Sequence, residues 1–176
     1  NGGGEELRDS SQHGNKRTRN SASKRARCLH KTTKITPMTN IVQSPHKTLR
    51  MNAQEVKQSE IGGEKLKEII ERMKTALHGE DDGVAIAAPQ IDVALRIFVV
   101  SKKVLPKSPE DMVFINPVIT KLGKKKESMS EGCLSVRWKY GLVKRATTAT
   151  VKALNEKGNE FVLSGKGLLA QIFQHE

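Results

Sequence analysis

The hydrophobic pattern changes its period near residue 80, and this change limits the fold more than any other feature. Between residues 61 and 77, apolar residues recur three and four positions apart with Glu and Lys between them, which predicts an amphipathic helix. "HGEDDG" at 78–83 is typical of a helix end followed by a turn. The apolar segments that come next are short and rich in β-branched residues, so strands are expected after the helix.

The second half of the chain predicts several strands and a closing helix. Strands are expected at 96–100, 112–116, 142–145 and 148–154, and "NEKGNE" at 155–160 predicts a hairpin turn leading to a strand at 161–163. A second helix should begin near Gly167, with Leu168, Ile172 and His175 along one apolar, inward-facing side. A helix, short strands and another helix together predict an α+β domain.

Composition excludes several classes of protein. With 176 residues, 36% of them hydrophobic, the chain can supply one domain of about 100 to 150 residues. No apolar run approaches the roughly 18 residues of a membrane span, so no membrane association is expected. The two cysteines, Cys28 and Cys133, lie in segments of different character, which argues against a disulfide framework and favours a reducing compartment.

Residues 1–37 form a basic segment that is expected to be disordered. They hold nine Lys and Arg against three acidic residues, which leaves 22 basic and 16 acidic residues in the rest of the chain. The segment contains too few apolar residues to offset the entropy of ordering it. Three interpretations stay open: a transit peptide, a nucleic-acid-binding arm, or upstream sequence outside the working protein, with the natural start at Met38. The folded domain is expected to span 38–176.

Two short segments could carry chemistry. "GVAIAAPQ" at 83–90 is a run of small residues in which Pro89 fixes the exit, so that Gln90 projects from a defined place. Composition alone favours a tightly packed buried strand there. "EGCLS" at 131–135 places Cys133 directly after Gly132. That thiol is either a nucleophile or metal ligand with room beside it, or a small buried hydrophobe, and by itself the second interpretation is favoured.

A third segment, "QHE" at 174–176, lies at the end of the closing helix. His175 followed by Glu176 is the first half of the H-E-x-x-H arrangement, in which two imidazoles bind one metal ion and the glutamate acts as general base. The second histidine would stand at position 179, beyond the given sequence. For the pair taken alone, an accident of where the chain ends is the favoured explanation.

In this order and at these separations, the three segments closely resemble the three signature motifs of the peptide deformylase family. These are metal-dependent hydrolases that remove the formyl group from the N-terminal methionine of new proteins. The resemblance runs from Met38 to Glu176 and includes "MTNIVQSPHKTLR" and "GLVKRATTATVKALNEKGNEF". It implies an α+β fold in which short, mostly antiparallel strands pack around a central helix that carries the metal-binding His-Glu pair.

The resemblance also implies a metal site. Cys133 and His175 would be two protein ligands, residue 179 would be the third, and water would complete a tetrahedral site. One divalent metal ion is implied, with ferrous iron as the usual one in the family and zinc, nickel or cobalt as replacements. The Gln90 amide and the backbone N–H of Leu134 would stabilise the developing oxyanion, and Glu176 would transfer the proton.

Substrate and partners follow from the same resemblance. The N-formylmethionyl nascent peptide would pair like a strand with the backbone of Val84, Ala85 and Gly132, and its methionine would enter an apolar pocket walled by His175 and its helix. Transient contact with the ribosome is expected. The location would be the bacterial cytoplasm, or an organelle if residues 1–37 are a transit peptide.

This chain departs from the family pattern at several points. Ala85 stands where glycine is usual, and its methyl group could crowd the peptide. Arg137, followed by Trp138, stands where proline is common. Arg145 is retained and is expected to brace the fold. With two of three ligands, the chain as given is expected to hold metal weakly and show little activity, its C-terminal part being absent. Two alternatives remain: a deformylase-like protein that binds peptides or the ribosome without catalysis, and a basic arm that docks nucleic acid.

Overall fold

The computed structural model describes residues 40–105 and 108–176, and the predictions made for residues 1–37 lie outside this part. The described part contains two α-helices, four short 3-10 helices and seven β-strands. The helices are α1 (Glu64–His78) and α2 (Leu168–His175). The strands are β1 (Ala85–Ala87), β2 (Ile97–Val100), β3 (Met112–Leu122), β4 (Lys126–Cys133), β5 (Val136–Ala146), β6 (Thr148–Leu154) and β7 (Glu160–Lys166).

The strands form two antiparallel sheets. Five strands pair in the order β1-β2-β3-β6-β7, while β4 and β5 form a separate two-stranded hairpin. α2 packs against β6 and β7 of the large sheet and against β5 of the hairpin. The predicted α+β class with antiparallel strands is therefore confirmed, whereas the description of α2 as a central helix stays a prediction.

Strand β2 separates two parts of the hydrophobic core, because both of its faces are buried. Ile97 and Val99 point toward α1, where they join the buried helix residue Met73. Phe98 and Val100 point to the opposite side. There Phe98 stacks on Phe114 of β3, with ring centroids 4.4 Å apart, and lies 6.3 Å from Phe173 of α2. The large sheet thus has one helix on each side, and α2 is anchored by aromatic packing.

The helix predictions hold, with one shift at a boundary. All five apolar positions of the predicted stripe between 66 and 77 are buried in α1. The helix begins at Glu64 instead of Ile61, because Gly62 adopts a positive φ of 82° and Gly63 caps the first turn. α2 begins at Leu168, directly after Gly167, as predicted.

One strand was not predicted, and one expectation about exposure was wrong. Strand β4 was not predicted, because its segment "KESMSEGC" is mostly exposed and lacks an apolar alternation. Leu168 was predicted to face inward, but it is 49% exposed, because the first turn of α2 lies at the rim of a cleft. The buried residues of α2 are Ala170, Ile172 and Phe173.

No helix within the described residues is long and apolar enough to cross a membrane.

Candidate active site

The first candidate segment places Gln90 in a fixed orientation. After β1, residues Ala88–Ile91 form a 3-10 helix with proline in its first turn. The Ala87 N–H donates to the Oε1 atom of Gln90 at 2.8 Å. Because an N–H can only donate, this bond turns the side-chain NH₂ of Gln90 to the other side. There Nε2 lies 3.2 Å from the hydroxyl of Ser135 and 3.8 Å from the sulfur of Cys133.

The second segment brings Cys133 to the end of β4. The pairing register of the hairpin shifts between Gly132 and Cys133, which turns the chain at this point. The ring of Tyr140 covers Gly132 so closely that a Cβ atom there would lie 2.7 Å from the ring. The next carbonyl, that of Leu134, accepts a hydrogen bond of 2.9 Å from Gln43. A side chain at position 132 would therefore push the exposed Tyr140 ring aside.

Two glutamines of α2 fasten the third segment to the hairpin. Gln171 donates to the Ser130 carbonyl of β4 at 2.9 Å. Gln174 accepts from the Ala146 N–H and donates to the Ala146 carbonyl, each at 2.9 Å. These bonds fix the height and rotation of the helix against β4 and β5, and so they set the position of His175.

His175 is held between Cys133 and an ion pair. Its Nδ1 lies 3.1 Å from Oε2 of Glu131, and Glu131 also accepts two hydrogen bonds from Arg145, at 2.7 and 2.8 Å. The ion pair with Arg145 lowers the pKa of Glu131 to about 2, with a smaller contribution from His175. Since Nδ1 faces a permanent carboxylate, Nε2 is left for the side of Cys133.

The groups around His175 and Glu176 shift the pKa values of both side chains. The hydrogen bond to Cys133 is the main cause that raises the pKa of His175 to about 9. Burial raises the pKa of Glu176 to about 7. A carboxyl group that titrates near neutrality can both accept and donate a proton at physiological pH, which general acid–base catalysis requires.

The three segments meet in one cleft with two connected parts. An inner cavity of about 150 Å³ contains Gln90, Cys133, His175 and Glu176 in its wall, together with the apolar side chain of Ile172. An outer cavity of about 270 Å³ shares Cys133 and continues toward the tip of the β4–β5 hairpin.

The donor atoms of the site suit a transition metal. A thiol and an imidazole that line one cavity are ligands that zinc and iron accept and that magnesium and calcium avoid. The carboxylate behind the imidazole is the usual second partner of a metal-binding histidine. Within residues 40–105 and 108–176, no group of three or more His, Cys, Asp and Glu side chains is arranged to hold a metal ion. The described residues thus offer Cys133 and His175 as a pair.

The cleft gathers most of the residues that were singled out in the sequence. Those in its walls are Val84, Gln90, Gly132, Cys133, Leu134, His175 and Glu176. Ala85 is the exception, because it is 5% exposed and its methyl group packs in the core beside Phe98, away from the cleft. Arg137 forms an ion pair with Glu80, across the outer part of the cleft.

The sequence analysis did not assign a role to Glu131, Gln171 or Gln174. Glu131 is the first residue of "EGCLS", and Arg145 was expected to brace the fold. The structure pairs the two side chains in a bidentate ion pair, and the same carboxylate contacts His175. Arg145 therefore orients His175 through Glu131. The two glutamines occupy successive turns on one side of α2, a spacing that indicates a polar seam along an otherwise apolar helix.

An α+β domain that brings a thiol, an imidazole and a half-buried carboxyl group to one cleft has the side chains of a metal-dependent hydrolase. Comparison with known proteins defines the class further. The family model of polypeptide deformylase matches residues 38–176. The chain belongs to this family.

Relatives and solved structures agree with the family assignment. The peptide deformylase of Buchnera aphidicola is 37% identical over 136 residues, which cover 77% of this chain and 87% of the relative. That of Neisseria meningitidis is 39% identical over 137 residues, 78% of each chain. A class I type b peptide deformylase from Acinetobacter baumannii superposes with a TM-score of 0.73 at 29% identity, covering 79% of this chain and 90% of that one. A Legionella pneumophila peptide deformylase gives a TM-score of 0.71 at 36% identity and 78% coverage of both chains.

The function is that of a peptide deformylase, a metal-dependent hydrolase that acts on N-formylmethionyl nascent peptides. The alternative of a non-catalytic peptide- or ribosome-binding protein is not favoured.

Proposed function

We propose that Cys133 and His175 hold one divalent metal ion for the hydrolysis of the formyl amide bond. The observation that carries this proposal is that the thiol of Cys133 and the imidazole of His175 line the same inner cavity, with the imidazole oriented by Glu131. Ferrous iron is the metal we propose, with zinc, nickel or cobalt as replacements. A histidine at position 179, one helical turn after His175, remains a prediction outside the described residues. It would complete three protein ligands and leave one coordination position open.

Three groups of the chain would act on the reacting atoms. When bound, the ion supplies Lewis acidity, which lowers the pKa of water to near neutrality. Glu176, whose pKa is raised to about 7, accepts the proton of the attacking water and passes it to the leaving amine. The Gln90 amide, locked by the Ala87 N–H, and the backbone N–H of Leu134 donate to the formyl oxygen as negative charge develops on it. The products are formate and a free α-amine.

The substrate is proposed to enter along β1 and the end of β4. The backbone of Val84, Ala85 and Gly132 would pair with the peptide, a role that the buried methyl group of Ala85 does not obstruct. The methionine side chain would occupy the inner cavity beside Leu168 and Ile172. A structure of the Acinetobacter baumannii deformylase with bound Met-Ala-Ser, similar to this chain with a TM-score of 0.71 at 30% identity, supports a peptide as the ligand.

The wider assignments are also proposals. We place the catalytic domain at residues 38–176, which the extent of the family match supports, and treat 1–37 as a separate basic extension. Transient contact with the ribosome would bring the enzyme to its nascent substrates. The proposed location is the bacterial cytoplasm, or an organelle if the extension is a transit peptide.

Cobalt substitution tests the metal site with a readout that does not depend on catalysis. Cobalt(II) bound by a thiolate gives a sulfur-to-metal charge-transfer band, which should appear when the protein is titrated with cobalt and should vanish in Cys133→Ser. Cys28→Ser is the matched control and should keep the band. Formate release from formyl-Met-Ala-Ser, measured in the same samples, should follow the band. A cobalt site that is unchanged in Cys133→Ser would refute the proposed ligand.

A further inference from the structure

The five-stranded sheet has two edges of different kinds. At one edge lies β1, which has three residues and runs directly into the 3-10 helix that holds Gln90. At the other edge lies β7, which has seven residues, contains no proline and pairs with β6 along its whole length without a register shift. An edge strand presents backbone N–H and C=O groups that can pair with another chain, and natural proteins usually shorten, bulge or interrupt such strands. β1 is short in this sense, whereas β7 is not.

Two hydrogen bonds show which residues of β7 direct their backbone groups to the open edge. The Asn155 N–H donates to the Asn159 carbonyl at 2.9 Å, and the Gly167 N–H donates to the Thr147 carbonyl at 3.1 Å. These bonds lie at the two ends of the β6–β7 ladder, and in an antiparallel ladder every second residue bonds to the neighbouring strand. The odd-numbered residues of β7 therefore bond to β6. The even-numbered residues direct their N–H and C=O groups away from β6, and they are Glu160, Val162, Ser164 and Lys166.

The side chains of the same four residues are exposed, because they point to the side of the sheet that α2 does not cover. Val162 is the largest apolar one and is 61% exposed. α2 packs on the opposite side, where a Cβ atom at Gly165 would lie 2.8 Å from the side chain of Leu169. The residues that line the inner and outer cavities belong to other elements. Residues 160–166 thus form a surface separate from the cleft, which we call the β7 edge.

The sequence of β7 is complementary to itself in charge. Glu160 stands three residues before Leu163, and Lys166 stands three residues after it. When two copies of β7 lie antiparallel and centred on Leu163, each Glu160 lies opposite the partner's Lys166. Opposite charges directly across a strand pair stabilise it, and like charges destabilise it. Glu160 would then lie between this lysine and Lys152 of its own chain, which it contacts at 3.0 Å.

The backbone agrees with the same register. Two strands centred on Leu163 also place Val162 opposite the partner's Ser164, so that even-numbered residues meet even-numbered residues across the edge. These are the residues whose N–H and C=O groups point outward, and each such pair can exchange two hydrogen bonds. A register displaced by one residue would pair outward-pointing with inward-pointing groups and would lose the charge pairs.

We propose that the β7 edge binds the β7 edge of a second copy of this chain, which joins the two sheets into one. The pair is isologous, since each strand presents the same residues to the other about a twofold axis. Seven residues are far fewer than the roughly 20 to 30 per side of a standard interface, so the association is weak and depends on concentration. A second copy is favoured over an unrelated peptide because both the charges and the outward backbone groups of β7 match a reversed copy of itself.

Sedimentation velocity of the full chain over roughly a hundredfold range of concentration tests the proposal. The mean sedimentation coefficient should rise with concentration toward that of a dimer. Val162→Pro removes an outward N–H but none of those that bond to β6, so it should weaken association at least about tenfold and leave the circular dichroism unchanged. Val162→Thr keeps the N–H and the branched side chain and should associate like the unmodified protein. A chain that stays monomeric throughout, or equal association of the two variants, would overturn the proposal.

A charge exchange tests the register without changing the backbone. Lys166→Glu places two glutamates opposite each other at both ends of the interface and should weaken association on the order of tenfold. Adding Glu160→Lys restores opposite charges in exchanged positions and should recover most of the association. Lys65→Glu, at an exposed position of α1, changes the net charge equally and should have little effect. A double variant that associates no better than Lys166→Glu, or a control that weakens association as much, would contradict the proposed pairing.

A cysteine at the centre of the β7 edge should trap the pair. In a background carrying Cys28→Ser and Cys133→Ser, Leu163→Cys places two thiols opposite each other at the twofold axis. Their Cα atoms would be about 4.5 to 5.5 Å apart, a distance that a disulfide spans. Mild oxidation should therefore link the chains into covalent dimers. Val162→Cys is more exposed but lies opposite the partner's Ser164, so it should link far less, and more efficient linking at 162 than at 163 would refute the register.

Discussion

The two strands of the β4–β5 hairpin form an inner face, which carries Glu131 and Arg145, and an outer face, which carries Tyr140 and Leu142. The two faces differ in exposure and in how their side chains are held. On the inner face, Glu131 is 8% exposed at its side chain, and its hydrogen bonds to Arg145 and His175 are made within the protein. On the outer face, Tyr140 and Leu142 stand in solvent. An alternating strand can therefore hold a catalytic group rigidly with one set of residues while the other set stays free to meet a partner.

The difference lies in how each face is fixed. The inner face is tied to α2 through Gln171 and Gln174, so its side chains are positioned by a second element of the fold. On the outer face, Tyr140 and Leu142 are exposed, and the Tyr140 ring lies against Gly132 of the paired strand. Substitutions on the two faces should therefore differ in their effects. Inner changes should alter chemistry and stability, and outer changes away from the cleft, such as those at Leu142, should leave both nearly unaltered.

The largest effect is expected from Glu176→Gln. In the protein extended through position 179, the amide keeps the shape of the side chain but cannot accept the proton, so kcat for formate release should fall about 10²- to 10⁴-fold. Metal content, measured by mass spectrometry, should stay constant, which distinguishes lost proton transfer from a lost metal ion. The exposed Glu68→Gln on α1 is the matched control and should behave like the unmodified protein. A Glu176→Gln variant with unchanged kcat would remove this residue from the mechanism.

Gln90→Leu should have the next largest effect. It removes the donor held toward Cys133 by the Ala87 N–H and should lower kcat about 100- to 1000-fold, with a smaller change in KM. The exposed Gln58→Leu, in the 3-10 helix before α1, provides the control. If KM rose and kcat were unaltered, Gln90 would bind the ground state and would not stabilise the oxyanion.

The ion pair of the inner face should give the metal-free protein an acid-sensitive stability. The pKa of Glu131 is about 2 in the folded protein and near 4.5 when unfolded, so its contribution is present above pH 4.5 and is lost as the pH falls toward 2. The difference corresponds to about 3 kcal/mol. Urea unfolding of the chelator-treated protein between pH 2 and 7 should show this decline, and Glu131→Gln should flatten it. Equal pH profiles of the two proteins would show that the pair contributes little.

Much of the fold was predictable because local patterns and packing agree. The stripe of α1, the start of α2 after Gly167 and the turn at Gly158 follow from periodicity and from glycine conformations that other residues avoid. Strand β4 escaped prediction, since a strand with an exposed outer face and a polar inner face has no apolar alternation.

The candidate site was predictable only in part. Gln90, Cys133, His175 and Glu176 were identified from motif resemblance, and the structure brings them to one cavity. The role of Glu131 depends on a pairing with Arg145, 14 residues away and directly across the hairpin from Glu127. Such a contact depends on strand register, which the sequence does not state. The direction of the Ala85 methyl group, into the core instead of the cleft, likewise depends on the face of β1 that the sheet buries.

The smallest effect on stability is expected from a substitution on the outer face, which tests the expected difference between the two faces. Leu142 is 80% exposed, so Leu142→Ser should change the free energy of unfolding by less than about 0.5 kcal/mol. Its neighbour Val143 pairs with Met129 on the inner face and is half-buried, so Val143→Ser should cost about 1 kcal/mol or more. Both values are measured by urea unfolding at pH 7, at two protein concentrations. If Leu142→Ser lowered the free energy of unfolding as much as Val143→Ser, and if the loss grew with protein concentration, a second copy of the chain would cover the outer face in solution. The outer face would then be buried like the inner one.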